Sequence, residues 1–198
     1  MTAAGKMDES YEALRQYICQ RAGVAVAGLD EVLNCFRPTG LRRGHFLLRA
    51  GEVCRSCYFL VRGCVQVYEV DVNGVPRTRE LFFENQFLTD LPGFLTGRLT
   101  TENFRGLEPC QLLAIGRDEF QQLQTTLPTF ARLYEQALEA SYAHSVHRIK
   151  SLLELDGAAR LRWLWQTHPG LLTRLSNKVV ASYLHLSPAT LSRLKHTL

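Results

Sequence analysis

Acidic side chains are absent from Gly157 to Leu198, although the whole chain has 19 of them. The same stretch holds Arg160, Arg162, Arg174, Lys178, Arg193 and Lys195, a segment charge of +6 inside a chain total of +4, which leaves −2 on the first 156 residues. A basic module on a mildly acidic body is the electrostatic footprint of a phosphate-bearing partner. Other absences narrow the class further. No stretch approaches the length of apolar text that a membrane-spanning helix needs, so no membrane partner is expected. No apolar run follows the opening Met-Thr-Ala-Ala-Gly-Lys-Met, so there is no secretory pattern and the cytoplasm is the expected address. There is no nucleophile elbow, no glycine-rich phosphate loop and no helical His pair with a catalytic Glu. Glu52, Glu84 and Asp90 are scattered acids, and an enzyme is not expected. His144 and His147 lie three apart, but a zinc site needs more ligands than two.

Six cysteines are present. In a reducing cytoplasm they are not expected to pair. Cys54-Arg-Ser-Cys57 with Cys64 and Cys110 has the donor chemistry of a metal or iron–sulfur set. Cys57 and Cys64 stand in strand-like text, however, where buried cysteine behaves as a small hydrophobe. The expectation is core packing and no metal.

The hydrophobic content of 46% is enough for a real core. Asp8 to Arg21 reads as a short amphipathic helix with Tyr11, Leu14, Tyr17 and Ile18 on one face. From about Leu41 the texture turns to short strands. His45-Phe-Leu-Leu-Arg is followed by a turn at Ala50-Gly51-Glu52. Tyr58-Phe-Leu-Val-Arg leads to Gly63, and Val65-Gln-Val-Tyr-Glu-Val alternates. Asn73-Gly74 signals a hairpin, with Arg77 to Phe83 returning. One further strand is expected from Phe104 through Ile115. Strands at this spacing imply a compact barrel or roll. Arg117 to Thr125 reads as a short helix started by Asp118. Pro128 opens a long helical run that lasts until Asp156-Gly157, read as a hinge. Along it Leu138, Tyr142, Ser145, Ile149 and Leu152 alternate steps of four and three, the seam of a coiled coil, so a homodimer is expected, with packing of the seam on the chain's own roll as the other reading. A further helix spans Ala158 to Gln166.

Two short helices close the chain. Val179, Val180, Tyr183 and Leu184 form one apolar face, and Ser176 suits the N-cap. Ser187-Pro188 is a second start signal, because serine caps and proline fits the first helical position. Leu191 and Leu194 supply the buried edge. Only Leu184, His185 and Leu186 separate the helices, so they must cross steeply, as in a helix-turn-helix. His185 occupies the turn position where a left-handed residue is often required.

A roll, a long helix and a C-terminal helix-turn-helix, in that order, resemble the catabolite-activator and fumarate-nitrate-regulator (CRP/FNR) family of bacterial transcription factors over nearly the full chain. Ala50-Gly51-Glu52 with Tyr58 to Gly63 is similar to the family's early roll. Leu127-Pro128 and the following helix are similar to its dimer helix, and Ala181 to Arg193 to its DNA-reading unit. The resemblance implies an α+β fold: an N-terminal double-stranded β-helix, the jelly-roll-like cyclic-nucleotide-binding-domain fold, over 1–126; a dimerisation helix over 127–155; and a (winged) helix-turn-helix over 156–198. It implies promoter DNA and a second copy as partners, and admits RNA polymerase and a small-molecule effector. The alternative is a small-molecule-binding module whose last helices take a protein partner.

The departures from the family pattern are specific. Laid on without gaps, the family's Gly-Glu pair falls on Thr89 and Asp90, and its phosphate-binding Arg and following hydroxyl fall on Thr100 and Thr101. The phosphate's cation is thus replaced by Thr100, and an unpaired phosphate in a partly buried site is costly. No cofactor is assigned, and tight cyclic-AMP binding is not expected. Asp90, Arg98, Thr100, Thr101 and Ser145 are the candidate ligand residues, with an exposed turn as the other reading of Asp90. In the recognition helix, Pro188 and Ala189 replace a base-reading Arg-Glu pair, and neither can make a bidentate base contact. Asn177, Lys178, Ser187, Pro188, Ala189, Thr190, Ser192, Arg193 and Lys195 are the candidate DNA-binding residues, Arg193 and Lys195 for guanine edges or phosphates and Asn177 and Lys178 for phosphates. Any wing is expected from Leu171 to Leu175.

Overall fold

The structure, a computed structural model, describes residues 3–22 and 27–196. The chain gathers into two compact units, Met1–Val67 with Leu81–Leu138, and Tyr68–Glu80 with Glu139–Leu198. The elements run α1 (Ala3–Ala22), α2 (Leu29–Cys35), β1 (Arg37–Leu41), β2 (Phe46–Leu48), β3 (Ser56–Arg62), β4 (Val65–Val70), β5 (Pro76–Phe82), β6 (Gln86–Leu88), α3 (Leu91–Thr96), β7 (Asn103–Gly106), β8 (Cys110–Gly116), α4 (Arg117–Thr126), α5 (Pro128–Glu154), α6 (Gly157–Thr167), α7 (Leu171–Arg174), α8 (Asn177–Tyr183) and α9 (Pro188–Lys195).

The strands form two four-stranded sheets, ordered β1-β8-β3-β6 and β2-β7-β4-β5. This is the expected double-stranded roll. In the first sheet Phe59 pairs with Leu113 and Leu60 with Leu112, and all four are buried. Each such side chain contributes roughly 1.5–3 kcal/mol on full burial. Leu14 and Ile18 of α1 join this core, with Tyr11 and Tyr17 packed against it, as the helical spacing predicts. Phe120 of α4 anchors a ring cluster, meeting Phe94, Phe130 and Tyr134 edge-on at 5.3, 5.2 and 5.2 Å.

Four elements have no counterpart in the sequence pattern: α2, β1, β6 and α3. β1 contains Pro38, which cannot donate to a ladder. It survives because β1 lies at the edge of its sheet. The single strand expected from Phe104 to Ile115 is two strands, β7 and β8, in different sheets. Pro109 and the residues before it let the chain leave one sheet for the other. Leu107 N–H donates to the Cys64 carbonyl at 2.9 Å on the way. α4 takes Gly116 as its N-cap, where the sequence pattern points to Asp118 as its start. Glu119 folds back so that its Oε2 accepts the Gly116 N–H at 3.3 Å.

In the second unit α5 continues a 27-residue helix that starts in the first. The residues read as a hinge are a capped helix start, because Asp156 accepts the Ala159 N–H at 2.7 Å. Gly157 sits against the turn before α9. A Cβ there would lie 2.8 Å from Leu186 Cδ2. Leu161, Leu164, Leu171, Leu175, Val180, Tyr183, Leu184 and Leu191 are buried. The segment expected to supply any wing forms the helical turn α7, anchored by Leu171, and no described residue after Gly116 lies in a strand.

Candidate functional site

Local chemistry builds the helix pair at the end of the chain. Ser176 Oγ accepts the Val179 N–H at 3.4 Å and starts α8. Ser187 Oγ accepts the Thr190 N–H at 3.0 Å and starts α9, with Pro188 in the first turn. Between them Leu184 N–H returns to the Val180 carbonyl at 3.0 Å and Leu186 N–H to Ala181 at 2.8 Å. This tight closure needs a left-handed residue, and His185 takes φ 53°. The serine caps and the turn geometry are as the sequence predicts.

Asn177, Lys178, Ser187, Pro188, Ala189, Ser192 and Arg193 are exposed on this pair. The other two nominated side chains are half-buried and used internally. Thr190 Oγ1 lies 2.8 Å from Ser187 Oγ, and Lys195 Nζ donates to Asn177 Oδ1 at 2.9 Å. That last bond ties the end of α9 to the start of α8. Arg193 projects from the final turn of α9 with no acidic neighbour in its own segment.

Polar contacts that the sequence did not signal surround α8. Ser182 Oγ accepts the Thr78 N–H at 2.9 Å, and Tyr183 Oη donates to Glu80 Oε1 at 3.3 Å. Arg148 of α5 donates from Nη2 to the Tyr183 carbonyl and from Nε to the Arg79 carbonyl, each at 2.9 Å. Its guanidinium stacks 3.9 Å over the Tyr183 ring. His144 Nδ1 lies 3.4 Å from Glu80 Oε2. The bond to Glu80 holds the His144 pKa above the usual imidazole value. Burial pushes the His185 imidazole the other way, assisted by Arg148, Arg160 and Arg77. Pairs this distant in sequence leave no periodic signal; the one trace is an acid, Glu80, at an inward position of a strand.

In the first unit Asp90 is buried, not an exposed turn acid, and stands at the N-cap of α3. Among the described residues its Oδ2 has no hydrogen-bond partner. It lies so close to Gly93 that a Cβ there would be 2.3 Å away. Thr89 is turned into the fold, donating to the Ser56 carbonyl at 3.1 Å and lying 3.2 Å from Cys54 Sγ. Thr100 is buried and its hydroxyl accepts the Glu102 N–H at 3.1 Å. Arg98 and Thr101 are exposed. The cation that does touch α3 is Arg117, whose Nη2 donates to the Gly93 and Cys54 carbonyls at 3.0 and 2.9 Å. An open cavity of about 520 Å³ lies beside it, lined by Val53, Arg55, Gly97, Gly116, Arg117, Asp118 and Glu119. Its lining includes none of the nominated ligand residues. Ser145 belongs to the second unit and is exposed on α5.

Cys54, Cys57, Cys64 and Cys110 are buried and none of them is in a disulfide. Burial pushes Cys57 up to about 12 and Cys110 up to about 11. Among the described residues no three His, Cys, Asp or Glu side chains are placed to hold a metal ion. On α5, Tyr142, Ser145 and Ile149 are exposed, and Leu138 and Leu152 are half-buried. Leu153, which the seam omitted, is 80% exposed. No described helix is long and apolar enough to cross a membrane.

A double-stranded roll, a long helix and a capped helix-turn-helix define the fold of the CRP/FNR transcription regulators. In fold the protein is similar to FixK2 from Bradyrhizobium japonicum, with a TM-score of 0.71 at 16% identity, covering 82% of this chain and 84% of that one. Residues 39–126 match the cyclic nucleotide-binding domain family. Two known proteins are similar in sequence to part of the chain. The potassium voltage-gated channel unc-103 of Caenorhabditis elegans is 30% identical over 54% of this chain and 12% of its own length. The cAMP-activated global transcriptional regulator CRP of Pasteurella multocida is 24% identical over 58% of this chain and 55% of its own. The match thus spans about half or less of either relative. Residues 39–126 are thus similar to a cyclic nucleotide-binding domain, and the chain has the fold of the CRP/FNR regulators.

Proposed function

We propose that this chain is a homodimeric, DNA-binding transcription regulator that acts in the cytoplasm, with 1–126 as its sensor roll, 127–155 as its dimerisation helix and 156–198 as its DNA-binding domain. It is a regulator and not an enzyme. The observation that carries the reading is the C-terminal helix pair, capped at both starts and exposing Asn177, Lys178, Ser192 and Arg193 in an acid-free segment. Asn177 and Lys178 meet phosphates, where the start of α8 also presents backbone N–H groups. Arg193 reads a base edge. Pro188 and Ala189 carry no bidentate donor, so site choice leans on half-site spacing and duplex shape. The symmetric pair forms along the exposed α5 seam, and RNA polymerase is a further partner of the bound dimer.

The roll does not hold cyclic AMP tightly. By the ungapped family overlay Thr100 replaces the cation that would meet a cyclic phosphate; Arg98 is exposed, and Arg117 is committed to backbone carbonyls. Asp90, with one buried oxygen unpartnered, is the group that a donor on a different small effector would satisfy. Two measurements test this. Duplex binding should weaken steeply with salt, and Arg193→Ala should remove preference among promoter sequences while leaving most non-specific affinity. Calorimetry with cyclic AMP should show no micromolar binding. Salt-independent binding, unchanged sequence preference or a micromolar cyclic-AMP isotherm would each refute the corresponding part.

A further inference from the structure

Among the described residues the second unit is mainly helical, apart from one segment drawn from the roll: the end of β4 from Tyr68, the β4–β5 turn and the first residues of β5, through Glu80. This segment is bonded to α8 at three points. Ser182 Oγ receives the Thr78 N–H and donates to the Pro76 carbonyl at 3.4 Å, and Tyr183 Oη reaches Glu80. Glu80 is the branching point, because its other oxygen faces His144 on α5. Its carboxylate, on a residue only 8% exposed, thereby holds two helices at once. Arg148, one turn after His144, closes the arrangement by bonding the carbonyls of Tyr183 and Arg79.

Resting on the reading of this chain as a DNA-binding regulator, we propose that Glu80 is a positioning residue for DNA recognition: through Tyr183 on α8 and His144 on α5 it fixes how the helix pair is presented to the duplex. A carboxylate that accepts from a tyrosine and a protonated imidazole makes charge-assisted bonds, stronger than neutral ones. The groups facing this cluster are Glu80 and Arg77 from the hairpin, His144 and Arg148 from α5, Arg160 from α6, and Tyr183 and His185 from α8 and the following turn. His144 is the member whose proton is held by its bond to Glu80, whereas burial disfavours the charged form of His185. The His144 pKa is raised in the fold, so the charged pair is complete below the ordinary histidine value and is lost as pH rises through the raised one. DNA affinity should therefore fall across that window.

The test is fluorescence anisotropy on a promoter duplex from acid to alkaline pH, with wild type, Glu80→Gln, His144→Gln and the double variant. The His144 imidazole is followed by NMR in the free protein. Wild-type affinity is expected to drop about three- to tenfold as His144 loses its proton. Each single variant should start at the weakened level and lack that step, and the double variant should be no weaker than either single one. Glu80→Gln retaining the step, or the two substitutions adding independently, would overturn the proposal. Protection of the Thr78 amide against hydrogen exchange is read without DNA. It should fall in Glu80→Gln and across the His144 titration, and unchanged protection would overturn the proposal even if the duplex did not bind. Failure of every form to bind DNA with Thr78 protection still coupled to His144 would instead reject the regulator reading.

Discussion

Replacing Ile149 by glutamate should convert the protein into a folded monomer. Ile149 is 59% exposed on α5, flanked along the helix by Tyr142 at 73% and Leu153 at 80%. Burying the exposed part of one such side chain stabilises by ~1–2 kcal/mol, and a twofold would count it twice, so Ile149 would contribute ~2–4 kcal/mol to the proposed dimer. Glutamate forfeits that term and sets two like charges against each other in a desolvated seam. A combined loss of ~4 kcal/mol would raise the dimer dissociation constant about a thousandfold. Because Ile149 is mostly solvent-exposed within its own chain, the monomer's fold should survive, which circular dichroism checks. Sedimentation equilibrium reads the constant, and Ile149→Leu serves as the volume-conserving control. An Ile149→Glu variant that dimerises like wild type would refute the assignment of this face.

Two further outcomes follow from short-range geometry. Ser187→Ala removes the acceptor for the Thr190 N–H from a helix of only eight residues, so it should cost ~1 kcal/mol in thermal unfolding and weaken duplex binding about fivefold, with Ser187→Thr restoring both. Equal duplex affinity in Ser187→Ala would show that α9 does not present the contact surface. Gly93→Ala forces a Cβ to within 2.3 Å of Asp90 Oδ2 and 3.1 Å of the Arg98 carbonyl, and should destabilise by ~1–3 kcal/mol. Asp90→Ala in the same chain should recover most of that loss, and strict additivity in the double-mutant cycle would contradict the packing described for α3.

Residues alone reveal whatever is decided within a few positions. Ser176, Ser187 and Pro188 act on donors two or three residues away, so both helix starts and the turn at His185 are visible. The Asn73-Gly74 turn is visible for the same reason, reinforced by Asp71, which accepts from Asn73 and Val75 at 2.9 Å each. The elements that escape notice are short or contain residues whose penalty is cancelled elsewhere: Pro38 on an edge strand, Pro92 in the first turn of α3, and three-residue β6. Asp90 shows the same limit in the site. Its position in sequence suits either an exposed turn or a buried cap, and only the packing of α3 against the roll decides for burial. In the cluster on α8, Glu80 meets a tyrosine 103 positions further on. No local pattern encodes such a meeting.

The measurement closest to the central claim is the mass and stoichiometry of the complex with a labelled duplex of about 30 base pairs, by sedimentation velocity from about 50 to about 200 mM salt. Two chains should bind each duplex at low salt, and binding should fall by orders of magnitude as salt rises. A single chain per duplex, or no complex at the lowest salt, would contradict the account.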